Sequence, residues 1–274
     1  MRIDSILASA LLTVSSVAVA NAASVSPDVI FGSGNANGGF TVATGQYDAG
    51  SPNIAVPVEI GLRGKLRFND ANTAENTFNY DGVDTYTFVA GQTPLGFGFA
   101  PNSPGTAIWN FEWSVNTDVQ FTLPAAGFTS LNALTYELRL DGDPTAATNF
   151  FTFDPINVSF ADHGIGNNGT GNGGGAVAAD ATEYADLILN NQVAQNSWNY
   201  EFFNNPGTAL ENFIGAAEGE YRIEFEAFYQ GQSVAMTGIN INSVTPVPLP
   251  AGGLLLLSAL GGVAALRRRK KQSA

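Results

Sequence analysis

Between Ile54 and Phe68 the even positions read Ile54, Val56, Val58, Ile60, Leu62, Gly64, Leu66 and Phe68, while the odd ones include Glu59, Arg63, Lys65 and Arg67. A period of two sends these sets to opposite sides of an extended chain, so the segment reads as strand with one apolar and one polar face. Gly61 or Gly64 is the expected break between two strands. The same period recurs in Trp109, Phe111, Trp113 and Val115, and continues in phase through Val119, Phe121 and Leu123, with Asn116-Thr117-Asp118 as a turn between the halves. Leu134, Tyr136, Leu138 and Leu140 alternate with Glu137 and Arg139, and Tyr221, Ile223, Phe225, Ala227 and Tyr229 alternate with Arg222, Glu224 and Glu226. Shorter candidates are Thr85 to Ala90, Gly96 to Ala100, Ile156 to Phe160 and Val234 to Ile241.

Strands with one wet face pack as antiparallel sheets, so the predicted fold is all-β, an antiparallel β-sandwich of jelly-roll-like form. A parallel α/β fold needs long crossover helices, and none is legible. One helix is predicted over Asp180 to Val193, where Asp180 and Glu183 suit a capping box and Tyr184, Leu187 and Ile188 share a face. The 31 glycines and 19 phenylalanines suit many strands joined by many turns, and with no cysteine the core must hold the fold without disulfides. Asp162 to Gly175, with seven Gly and three Asn, is predicted to be a flexible surface loop that leaves His163 solvated.

Both ends carry apolar segments outside this pattern. Arg2, the apolar Ile6 to Ala20 and the small residues Ala20-Asn21-Ala22 form the three regions of a secretory signal peptide over 1–22, with signal peptidase expected to cut after Ala22. The passenger is then 23–245, and 246–274 is a tail with three parts. These are Val247-Pro248-Leu249-Pro250-Ala251, an apolar helix over 251–266, and Arg267-Arg268-Arg269-Lys270-Lys271. A 16-residue helix spans about 24 Å at 1.5 Å per residue, short against a bilayer core of about 30 Å. The basic block stays cytoplasmic under the positive-inside rule, which places the passenger outside.

This tail resembles the PEP-CTERM family of bacterial sorting signals, in the variant named for its VPLPA motif. The commoner form carries Glu where this chain has Leu249. The resemblance implies recognition by an exosortase, transient anchoring in the inner membrane through the tail helix, and delivery to the cell surface or matrix in bacteria that make exopolysaccharide. The run Tyr80 to Phe88 and the later Gly219-Glu220-Tyr221 also resemble strands of some PEP-CTERM passengers, which implies only a β-sandwich.

The passenger holds 23 acidic side chains against five basic ones (Arg63, Lys65, Arg67, Arg139 and Arg222), a formal charge of −18. Such a surface repels nucleic acid and anionic lipid. No Gly-x-Ser-x-Gly elbow, phosphate loop, His-Glu-x-x-His or dinucleotide fingerprint occurs, so a non-enzymatic role is expected. A carboxylate pair for glycoside cleavage stays open, because that chemistry needs only two acids at the right spacing. Cofactors are not expected, apart from calcium. Hard oxygen donors crowd at Asp81 with Asp84, at Asp141-Gly142-Asp143, and at Asp70 with Asn72 and Glu75, as calcium ligands or as turn formers. Trp109, Phe111 and Trp113 are expected in the core, and Trp198 and Tyr200, set among asparagines, are the candidates for exposed sugar-stacking rings. A structural or adhesive matrix component associated with exopolysaccharide is therefore expected, with a secreted glycan-active enzyme or calcium-dependent carbohydrate-binding module as the alternative.

Overall fold

The computed structural model describes residues 22–49, 54–67, 76–91, 104–122 and 129–245. The signal segment up to residue 21, the tail 246–274, the Gly96 to Ala100 strand candidate, Phe68, Leu123 and the Asp70 cluster lie outside the described residues. What is described is a sandwich of two sheets with one short helix.

One sheet contains β1 (Ala22–Ala23), β2 (Phe40–Asp48), β3 (Ala55–Leu66), β5 (Trp109–Asn116), β9 (Val193–Trp198) and β8 (Gly164–Gly166), in the order β1-β2-β3-β5-β9-β8. The facing sheet runs β4-β11-β10-β6-β7, with β4 at Thr85–Val89, β6 at Thr135–Asp141, β7 at Phe150–Phe153, β10 at Gly219–Tyr229 and β11 at Gln232–Val244. Strands β3 to β6 alternate between the sheets, and β10 and β11 close as a hairpin. All pairings are antiparallel except β4 with β11, which is parallel at the sheet edge.

Strand β3 runs through both Gly61 and Gly64 without the expected break. Each glycine admits a close neighbour instead. A Cβ on Gly64 would lie 2.6 Å from Ile241 Cδ1 of the facing sheet, and one on Gly61 would lie 3.0 Å from Val25 Cγ1 on the outer side. Gly45 of β2 serves the same purpose, since a Cβ there would fall 1.7 Å from the Val234 carbonyl oxygen.

The inner faces meet in an aromatic core of Trp109, Trp113, Phe225, Ile223, Ile239 and Ile241, all fully buried. Unexpectedly, the polar face of the first sheet is buried as well. The strap 24–39 crosses it and bonds to its side chains: Asn116 Nδ2 donates to Ser26 O at 2.9 Å, and Gln195 takes the Ile30 amide at 2.7 Å and donates to Asp28 O at 2.8 Å. These bonds offset much of the cost of burying that polar face.

Helix α1 (Ala181–Asn190) begins as read, with the Asp180 side chain accepting from Thr182 N and Glu183 N, and Glu183 accepting from Ala179 N. It stops before Val193, which opens β9. Ile156 to Phe160 is not a strand. Asp154 Oδ1 accepts the amides of Ile156 and Asn157 at 2.8 and 2.9 Å and curls the chain there. Strand β5 does not continue in phase beyond Asn116. Phe121 sits at φ +51° and is 54% exposed. The segment expected as a flexible loop is a packed one: Asn172 donates to Val29 O and Asn35 O, Gly173 N to Val29 O and Gly175 N to Ile30 O. Gly173 is needed here, at φ +70°, because a Cβ on it would lie 2.7 Å from Ser33 Cα.

Candidate functional site

Strand β8 is only three residues long and pairs with Val193, Ala194 and Gln195. The rest of β9, Asn196 to Trp198, is paired by β5 on one side and, among the described residues, by no strand on the other. At the same edge the facing sheet ends in the short β7. The sandwich is open there. The opening is a cleft of about 580 Å³, walled by the bends after Asp154 and by the 3-10 turn Tyr200–Phe203.

Trp198 is the centre of its aromatic lining. The ring centroid lies 5.4 Å from Phe203 and 6.0 Å from Phe153 in the lining, and 6.1 Å from the core residue Phe111. Phe202 and Phe160, 43% and 47% exposed, stand in the same lining. Polar groups line the cleft as well. Asn110 Nδ2 donates to Ser197 Oγ at 3.0 Å, and Asn196 Nδ2 donates to Asp162 Oδ1 at 3.0 Å. Asp162 is itself exposed.

His163 is not a solvated loop residue. It is fully buried, edge-on to Trp113 at 4.8 Å and near Trp198 and Tyr184. Its Nε2 lies 2.7 Å from the Pro155 carbonyl, which can only accept, so Nε2 carries the proton and Nδ1 accepts from Asn196 Nδ2 at 3.1 Å. Burial pushes its pKa below the ordinary value, against the Pro155 bond and nearby Asp162, and the ring is neutral at pH 7. His163 therefore holds the Asn196 amide that in turn holds Asp162.

Tyr200 is also misplaced by the sequence reading. It is fully buried, packed on Trp109 at 5.0 Å and Phe213 at 4.9 Å, and is a core residue. Trp109, Phe111 and Trp113 are core as expected. Sequence reasoning missed Phe153, Asp162, Asn196 and Phe203. The one available signal was the asparagine-rich context of Trp198.

The aspartate clusters are built into turns. Asp81 Oδ1 accepts the amides of Val83, Asp84 and Thr85, and these bonds, that of Val83 first, hold its carboxyl below the usual range. Asp141 Oδ1 accepts from the amides of Asp143 and Asn149, and Asp143 Oδ1 from Thr145. Asp84 and Asp141 meet at one residue, Arg222, whose guanidinium lies 3.3 Å from Asp84 and whose amide lies 3.3 Å from Asp141 Oδ2. Among the described residues no three acidic or histidine side chains are grouped to hold a metal ion.

The cleft combines ring faces, carboxylate and hydroxyl groups. Another of its acids, Asp154, accepts from Ile156 N, Asn157 N, Tyr136 N and Asn157 Nδ2, so both oxygens are saturated. The chain matches no known protein family, no curated protein and no solved structure.

Proposed function

We propose that this chain is an exported bacterial protein, sorted by an exosortase-type system to the cell surface or matrix, where it acts as an adhesive or structural component that holds exopolysaccharide. The address comes from the signal segment and the VPLPA tail. The binding role rests on one observation, the cleft in which Trp198, Phe153 and Phe203 share a lining with Asp162. A pyranose ring has apolar C–H faces and a rim of hydroxyls, so alternating aromatic faces and hydrogen-bonding groups are complementary to it. The electrostatics point the same way. Arg63 and Lys65 are buried on Glu112, and Arg139 and Arg222 are paired with acids, so little positive charge is left to recruit an anionic macromolecule.

The test uses protein recovered from native cells and the host's own exopolysaccharide. Retention without cleavage is the expected result, and depolymerisation would replace the adhesive reading with a glycan-active enzyme. Intact-mass measurement on the same sample should show an N-terminus near Ala23 and loss of Arg267 to Lys271. The basic block still attached in the surface fraction would contradict sorting and indicate a plain anchor.

A further inference from the structure

The cleft has a charge preference as well as a shape. Its acidic lining residues are Asp154, Asp162 and Glu201, and its only cationic one is Arg67, which is half-buried and engaged within the fold. The surrounding passenger carries −18. A uronate, sulfate or pyruvate-bearing sugar entering here would meet like charge at short range from the half-buried Asp154 and Glu201 and the exposed Asp162. An uncharged sugar meets no such barrier.

The hydrogen-bonding groups select in the same direction. Asp162 is held by Asn196 through Oδ1, and its other oxygen has no hydrogen-bond partner among the described residues. Asn196, two residues before Trp198, lies on the same face of β9 as that ring and so sets Asp162 on the ring's side of the strand. A carboxylate acceptor beside a tryptophan ring suits the hydroxyl donors of a sugar stacked on that ring. The cleft is large enough for a small-molecule ligand and open at the sheet edge, so it can take a segment of a longer chain.

We propose that the cleft at the β7–β9 edge binds uncharged glycan segments, with one sugar ring stacked on Trp198 and its hydroxyls bonded to Asp162, and that it discriminates against acidic glycans. This rests on the polysaccharide-holding reading and narrows it to a ligand class.

Affinity electrophoresis of the mature protein tests it, with gels containing dextran, a mixed-linkage β-glucan, galactomannan or xylan as neutral probes and polygalacturonate or alginate as acidic ones. The expected result is retardation by at least one neutral polymer, at least tenfold weaker in Trp198→Ala and Asp162→Ala, and unchanged in Glu211→Gln on the exposed surface. Urea unfolding of each variant separates loss of binding from loss of fold, and Trp198→Phe, which keeps a ring, should restore most of the retardation. Retardation by acidic polymers alone, or by none of the neutral ones, overturns the proposal. Retardation that survives Trp198→Ala overturns it too. The failures are distinguishable. Acidic binding that depends on Trp198 would leave the cleft as a glycan site with the wrong charge class. Retention of the host polymer independent of Trp198 would leave an adhesive protein whose site lies elsewhere.

Discussion

Glu112→Ala is expected to destabilise the protein by about 3–5 kcal/mol, a fall in melting temperature of roughly 10 °C. Glu112 is fully buried on the outer face of the β3–β5 sheet, 2.5 Å from Arg63 Nε and 2.8 Å from Lys65 Nζ. Burial raises its pKa, but the two cations outweigh that and hold the carboxyl below its ordinary value. Removing it leaves Arg63 and most of Lys65 buried with no counter-charge. Arg63 has other partners, with Nη1 donating to Ala36 O and Gly38 O and its guanidinium 4.2 Å from the Phe40 ring and 4.5 Å from Phe78, but none carries negative charge. A control separates charge from packing. The triple substitution Arg63→Met, Lys65→Met, Glu112→Leu should recover most of the loss, because a buried ion cluster is often no more stable than apolar residues of similar volume. Denaturant midpoints of the three proteins check both statements, and a triple variant as unstable as the single one would show that the cluster is net stabilising.

The second large effect is a pH dependence seated at Glu59. Its carboxyl is buried under the strap and pushed up to about 7 by desolvation, against the bond it accepts from Ser26 N at 2.6 Å. In the unfolded chain a glutamate titrates at about 4.5, so between these values the folded state holds the proton that the unfolded state has released. The contribution is fully present below about 4.5 and is lost as pH rises through about 7, an expected loss of about 3 kcal/mol. Relief of the −18 self-repulsion acts in the same direction, and a variant isolates the residue: Glu59→Gln should be more stable than the native protein at pH 8 and nearly equal at pH 4.5. Urea unfolding at both pH values measures this. Equal stability of the two proteins at pH 8 would contradict the account.

The long strands were legible because each carries four or more alternating apolar residues, as in Val56 to Leu62 or Tyr221 to Ala227. Strand β2 was not, since its inward positions are Thr41, Ala43, Gly45 and Tyr47, and the small ones mark where the facing sheet comes close rather than where side chains fill the core. Strand β9 was hidden by its polar residues, Gln195 and Asn196, which bond to the strap and to His163. The strap accounts for most of the remaining differences. It converts a face that alternation marks as wet into a buried polar layer, and no local pattern records a covering segment 27 to 167 residues distant. The cleft fails to show in sequence for a related reason. Phe153, Asp162, Trp198 and Phe203 are separated along the chain and meet only because β8 stops short and β7 lies opposite.

Three indole N–H signals give the most direct test of that cleft. Trp109 and Trp113 are fully buried in the core, whereas Trp198 is partly exposed at the opening. In a proton–nitrogen correlation spectrum, with Trp198 assigned by its absence in Trp198→Phe, titration with neutral oligosaccharides cut from the host exopolysaccharide should move the Trp198 indole saturably and leave the other two nearly still. A Trp198 signal that does not move at saturating oligosaccharide would contradict the account.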